Sequence, residues 1–308
     1  MDTPVLLICF NRPEYVAQMI EALRKCRVSK LFVFKDGPRP DNANDSQASK
    51  DIEKQIQGID WDCEIITNYM QNNLGCGYGP YTAISWAFQY VDELVILEDD
   101  CIPTNSFFTF CREMLDKYRD DSKVSLISGF SRLNDTSIFG DNDYIFSQYG
   151  VTWGWATWKR VWNDFDMQLR NLDTFFRKGG FKNQFRTKKE ADFFNNRYRI
   201  CQKDKSLYKH VWDIQFGLHS RVNGALRIVP KYSLIQYIGV DGTHYSVIDN
   251  KSDVFDVQSL EDFKVLNSPL LVEANDNYDQ MYFTKYVYTE YRLIYRIINK
   301  LKRCLKIN

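Results

Sequence analysis

Leu94-Val95-Ile96-Leu97-Glu98-Asp99-Asp100 joins four apolar residues to three carboxylates with no spacer, and Cys101-Ile102-Pro103 follows. A short apolar run bounded by polar residues suits a strand covered on both faces. The three carboxylates then stand together at the end of that strand, where their like charges repel and a cation relieves them. Hard oxygen ligands suit Mg2+ or Mn2+, which use one or two carboxylates, keep several waters and take further ligands from a diphosphate. A solvated acidic turn is the plain alternative, and the strand-end position argues against it.

The chain before this stretch repeats one unit. Pro4 to Phe10 is a second continuous apolar run, closed by Asn11-Arg12-Pro13. Pro13 suits the first turn of a helix, and Val16, Met19, Ile20 and Leu23 recur at helical spacing. A strand is predicted at Leu31–Phe34, a turn at Asp36-Gly37-Pro38 and a helix near Ser46–Gln57. A strand near Glu64–Thr67 and a helix near Tyr81–Tyr90 lead into the acidic strand, and a helix near Asn105–Tyr118 and a strand at Val124–Ser128 follow it. Alternating strands and helices predict an α/β fold with right-handed crossovers and a mostly parallel sheet flanked by helices. Such sheets gather ligands beyond the carboxyl ends of their strands. Asn11-Arg12, Asp36-Gly37 and Glu98-Asp99-Asp100 are the residues there.

From Gly129 the texture becomes aromatic, with Tyr144 to Tyr149 and then Trp153, Trp155, Trp158 and Trp162. Helical patterns return near Lys188–Lys203 and His210–Val222, followed by strand-like pieces at Leu226–Val229 and Leu234–Ile238. A soft boundary divides one compact domain into a ligand-binding half, 1–128, and a second half, 129–284. Residues 285–308 form a separate basic segment, with Lys285, Arg292, Arg296, Lys300, Lys302, Arg303 and Lys306 against Glu290 alone. Leu293, Ile294, Ile297, Ile298, Leu301 and Leu305 lie at helical spacing within it. This amphipathic helix either packs on the body or lies on an anionic membrane surface.

Composition limits the remaining classes. The 308 residues carry 40 basic and 40 acidic side chains, so no global field recruits nucleic acid. Eight cysteines are scattered without a CxxC pair and are expected to be reduced thiols. The amino terminus lacks a basic n-region, and no stretch approaches ~18 consecutive apolar residues. The expected location is cytoplasmic, with the inner face of the plasma membrane as the surface the tail would meet. Gly75, Gly77 and Gly79 are not a dinucleotide fingerprint, because that motif belongs in the first βα turn, which here reads Asn11-Arg12-Pro13. They permit either a close backbone approach to a ligand or a bend. No GxxxxGK[ST] occurs.

Three further positions admit two readings each. Asp36, heading a Gly-Pro turn, either serves Asx-turn chemistry or accepts a hydrogen bond from a base or ribose lying across the strand ends. Asp213, in His210-Val211-Trp212-Asp213, either caps a helix or acts as a general base toward a hydroxyl. His244, in Gly242-Thr243-His244, is a surface histidine or a phosphate or metal contact on a closing lid.

Taken together and in order, these stretches resemble the N-acetylglucosaminyltransferase I-like family (glycosyltransferase family 13) and its bacterial relatives. The resemblance runs over roughly residues 4–246. It rests on Val5 to Arg12, Val33 to Gly37, Val95 to Asp100 with the Phe107-Phe108 helix, Gly154-Trp155, Trp212-Asp213 and Gly239 to His244. It implies the GT-A, or nucleotide-diphospho-sugar transferase, fold and a metal-dependent, inverting transfer from a UDP-sugar, GlcNAc or a related hexose, to a glycan or lipid-linked saccharide. By the same resemblance Asp100 ligates the metal, and Glu98 and Asp99 lie against donor sugar and ribose. Arg12 and Asp36 contact uracil, and Asp213 is the catalytic base. Gly154-Trp155 lines the donor and acceptor pocket, and Gly242, Thr243 and His244 close over the diphosphate. Two rivals remain. A sugar-phosphate nucleotidyltransferase shares the sheet and the metal logic but normally carries a Gly-rich, Arg/Lys-bearing segment after the first strand. A non-catalytic carbohydrate-binding module would use the tryptophan cluster and leave the carboxylates unexplained.

Overall fold

The computed structural model describes residues 3–133, 135–182, 184–239 and 260–288. The apolar run at the amino terminus becomes β1 (Val5–Cys9), buried along its whole length. Pro13 opens α1 (Pro13–Lys25), which buries Val16, Met19, Ile20 and Leu23, the four residues at helical spacing. There follow β2 (Lys30–Lys35), α2 (Ala43–Gln57), β3 (Glu64–Tyr69), α3 (Gly75–Ala87) and β4 (Glu93–Glu98). A short β5 (Cys101–Pro103) precedes α4 (Asn105–Lys117) and β6 (Val124–Ser128).

The second half supplies β7 (Tyr144–Ser147), β8 (Trp155–Trp158), α5 (Lys159–Asn163), α6 (Asp173–Arg177) and α7 (Lys188–Lys203). It continues with α8 (Asp213–Val222), β9 (Leu226–Pro230), β10 (Ile235–Tyr237) and α9 (Asp276–Tyr282). Among the described residues eight strands form one mixed sheet in the order β3-β2-β1-β4-β8-β6-β9-β7, flanked by helices. β1, β2, β3 and β4 run parallel, as do β6 and β9, while β8 is antiparallel to both its neighbours and β7 to β9. The α/β class with a mixed, mostly parallel sheet is therefore as expected. The simple doubly wound sequence is interrupted, because β8 from the second half separates β4 from β6. Residues 1–128 and 129–284 thus share one sheet.

Strand alternation sends the two faces of the sheet to two cores. Leu7, Val33, Val95 and Leu97 pack with α1, α2 and α4, while Leu6, Ile8, Phe34 and Ile96 pack with α3, Trp155, Trp212 and Phe216. Trp155, Trp158 and Trp162 are 1%, 2% and 4% exposed, so three of the four tryptophans are core residues and offer no sugar platform. In α3 the helix begins at Gly75, six residues before the predicted start. Glycine's poor helix propensity hides that first turn from sequence, and tertiary contacts form it anyway.

The second half also encloses charge. Arg221 donates to the Gln148 and Gly217 carbonyls and lies over the rings of Tyr149 and Phe194, while Tyr149 donates to Glu190. Asp279, on α9, accepts from the Ser147 hydroxyl and the Gln148 amide. Burial pushes its carboxyl up to about 6 against those hydrogen bonds. A carboxyl raised on folding binds its proton more tightly in the folded state, so stability is lost as pH rises from about 4 to about 6. Asp279→Asn should remove a loss on the order of 2–3 kcal/mol. Urea midpoints at pH 4 and pH 7 should show the variant gaining on wild type at the higher pH.

Among the described residues the seven cysteines are free thiols, and no helix is long and apolar enough to cross a membrane. Gly242, Thr243 and His244, and most of the basic carboxyl-terminal segment, lie outside the described residues.

Candidate active site at the carboxyl edge of the sheet

Register sets the site. Ile8 pairs with Phe34 on one side and Glu98 on the other, so β1, β2 and β4 end level with one another. The residues just beyond them, Arg12, Asp36, Asp99 and Asp100, are thereby lined along one edge. Asp36 amide donation to the Cys9 carbonyl at 2.9 Å extends the alignment by one residue.

Asp99 and Asp100 share a single guanidinium, whose charge also reaches Glu98. Arg12 Nη1 is 3.0 Å from Asp100 Oδ2, and Nη2 and Nε of Arg12 both donate to Asp99. The guanidinium also lies 4.8 Å from the Tyr15 ring centroid. One cation does not balance three carboxylates. Burial, then Asp100 and Asp99, push Glu98 up to about 8, and burial pushes Asp99 up to about 7 although Arg12 pulls it down. Arg12 is therefore engaged with the acids, not turned outward toward a base as the resemblance implies.

Asp36 is committed to the fold. Its Oδ1 accepts from the Gly37 and Leu74 amides at 2.9 and 2.8 Å, and its Oδ2 from Asn73 Nδ2 and the Gly75 amide, both at 3.0 Å. A carboxylate offers about four acceptor positions, and all are used. The carboxylate caps the start of α3, but no Asx turn forms, because the residue two positions on, Pro38, has no N–H, and the base contact has no lone pair left for it. Burial raises the carboxyl and these amides oppose it.

The start of α3 in turn holds the opposite wall. A Cβ on Gly77 would strike the Tyr208 carbonyl and lie 2.8 Å from Lys209 C and 2.9 Å from His210 N. Cys76 Sγ is 3.1 Å from the His210 carbonyl. Gly75 and Gly77 therefore permit a close approach, but to the 208–210 backbone. This contact sets the chain that enters Trp212-Asp213. Trp212 stacks on Trp155 at 5.6 Å, and Asp213 follows as the first residue of α8. Asp213 is exposed, and its carboxylate neither caps α8 nor makes a hydrogen bond among the described residues. Its charge is one of those raising Glu98, so the two carboxylates share one electrostatic region. Two residues on, Gln215 is fully buried with neither amide atom hydrogen-bonded in the described protein.

Gly154 and Trp155 divide differently from the expectation. Trp155 is buried between β4 and β6, pairing with Ile96 and Ser128, and does not line a pocket. Gly154, at φ +65°, has no space for a Cβ beside Ile235. The half-buried indole here is Trp153, stacked on Tyr237 at 4.7 Å and 16°.

Two residues of the site were given no role by sequence reasoning. β10 pairs antiparallel with β5 and carries Ile238 over the acidic turn, its amide 2.9 Å from the Asp100 carbonyl. A Cβ on the next residue, Gly239, would lie 2.6 Å from Asp100 Oδ2 and 2.5 Å from the Tyr237 hydroxyl. Gly239 had a signal, since it opens the Gly-Val-Asp-Gly-Thr-His stretch, whereas Tyr237 had none.

Three hard carboxylates short of positive charge fit a divalent ion of the Mg2+ or Mn2+ type. Among the described residues no group of three His, Cys, Asp or Glu side chains forms a cage. An ion at Asp100 would need phosphate and water to complete its shell.

No family model matches the sequence, and no curated protein matches it. Among solved structures, the chain is similar to a UDP-glucose pyrophosphorylase complexed with UDP-glucose, at 10% identity and TM-score 0.26. That match covers 47% of this chain and 62% of the other, so less than two thirds of the pyrophosphorylase is spanned. It is also similar to a 4-diphosphocytidyl-2C-methyl-D-erythritol synthase from Anaerococcus prevotii, at 9% identity and TM-score 0.30, over 63% of this chain and 84% of that one. Likenesses this distant carry no functional argument. The class is α/β with a mixed sheet, and function rests on the site.

Proposed function

We propose that the protein is a metal-dependent, inverting glycosyltransferase of the GT-A type. It would move GlcNAc or a related hexose from a UDP-sugar to a hydroxyl of a glycan or lipid-linked saccharide. The observation that carries this reading is the pairing of an under-neutralised carboxylate edge with an uncommitted, exposed carboxylate, Asp213, in its field. Glu98 and Asp99 would lie against the donor sugar and ribose, and Asp100 would hold the ion. A bound Mn2+ or Mg2+ supplies Lewis-acid stabilisation to a departing diphosphate. Asp213 takes the proton of the acceptor hydroxyl, whose oxygen bonds to the anomeric carbon as the bond to the UDP oxygen breaks, with inversion.

Nothing in this scheme needs a covalent sugar-enzyme bond. The nucleotidyltransferase reading is weaker, because Arg12, the one cation in the loop after β1, is held on Asp99 and Asp100. Calorimetric titration of nucleotide sugars, with and without Mn2+, tests the proposal on wild type beside Asp100→Ala. The expected result is Mn2+-dependent binding of one UDP-sugar, lost in the variant. Failure of every nucleotide sugar to bind would overturn it, and pyrophosphate release from UTP and a sugar 1-phosphate would favour the nucleotidyltransferase.

A further inference from the structure

We infer that Arg12 is a positioning residue that stands in for the divalent cation at Asp100 and must leave before the ion binds. This goes deeper into the proposed site and rests on that reading for the identity of the anion that receives the guanidinium.

The geometry around Asp100 leaves little choice. Its Oδ2 faces Arg12 Nη1 at 3.0 Å and is backed by Gly239, where even a Cβ would come within 2.6 Å. Its Oδ1 faces Cys101 Sγ at 3.4 Å. A Mg2+-type ion sits about 2.0–2.1 Å from its oxygen ligands. With Gly239 crowding the far side of Oδ2, an ion there competes with the guanidinium for the same oxygen, and two cations on one carboxylate repel. Arg12 spans Asp99 and Asp100 with its forked donors, a geometry that a planar guanidinium favours and that fixes both acids at once. The Tyr15 ring holds the guanidinium from the side.

The exchange of cations has a consequence for order of binding. An ion arriving alone expels Arg12 from its two carboxylates and gives it nothing in return. An ion arriving with a diphosphate brings anionic oxygens on which the released guanidinium can close. Metal and nucleotide should therefore bind with positive coupling, and linkage makes the coupling reciprocal.

The test uses Mn2+ alone, followed by the paramagnetic signal of the free aqua ion, on full-length wild type, Arg12→Gln and Arg12→Lys. Wild type should bind Mn2+ weakly without nucleotide and more tightly when UDP is added. Arg12→Gln should bind Mn2+ alone at least tenfold more tightly than wild type. Arg12→Lys, a point charge without the fork, should fall between them, and it keeps the comparison usable if the uncharged variant does not fold. Affinities equal to or weaker than wild type in the folded variants would overturn the inference. If Arg12→Gln tightens Mn2+ binding while no nucleotide sugar binds either protein, the cation exchange stands and the glycosyltransferase reading falls. If UDP-sugar binding needs Mn2+ but the variants show no gain, the inference alone falls.

Discussion

Asp213→Asn should lower kcat by about 10²–10⁴-fold while leaving UDP affinity within a factor of about two, since general-base catalysis contributes on that scale. The substitution is close to isosteric and removes only the ability to accept a proton. Its structural cost should be small, because the side chain is exposed and makes no hydrogen bond among the described residues. Single-turnover transfer assays alongside calorimetric UDP titration separate the two effects. Equal losses in binding and turnover would assign Asp213 to holding α8, and unchanged turnover would remove it from the chemistry.

The second large effect is expected at a residue with no side chain. Gly77→Ala places a methyl against the backbone of Tyr208, Lys209 and His210, none of which can rotate away as a side chain would. Relief requires α3 to part from the segment that leads into Trp212-Asp213. A cost of about 1–3 kcal/mol is expected, as for other overpacked sites, together with reduced turnover. Gly79→Ala is the control. Its methyl would meet only the Asp36 carboxylate at 3.5 Å, an ordinary contact, and should gain roughly 0.5–1 kcal/mol from helix propensity. Thermal melts of the two variants, one lowered and one level or raised, would establish that Gly77 serves packing and not a bend.

Much of this site was legible because it lies where chain and sheet geometry coincide. An apolar run fixes a parallel strand, the strand fixes an end, and the residue after that end must be at the ligand edge. Arg12, Asp36 and Glu98 to Asp100 were found in that way. What each side chain does there was less legible, since partners come from distant sequence. Asp36 is consumed by amides of residues 74 and 75, and Arg12 by acids about ninety positions away. Trp155 was misplaced for a similar reason. Aromatic residues serve cores and sugar pockets alike, and Gly154 at positive φ separates half-buried Trp153 from buried Trp155. Tyr237 could not have been seen, because β10 reaches Asp100 by pairing with β5, more than a hundred residues earlier.

The placement of β8 also governs how the molecule is made. β4 and β6 are not neighbours, and the strand that separates them is synthesised after both. A nascent chain that has emerged only as far as Ser128 carries the acidic strand with one edge unpaired, a template for wrong pairing. β6 has neither of its partners until β8 and β9 emerge, the latter at Leu226–Pro230. The sheet beyond β4 is therefore closed late, and chaperone protection during translation should matter more to this chain than to one whose sheet closes in order.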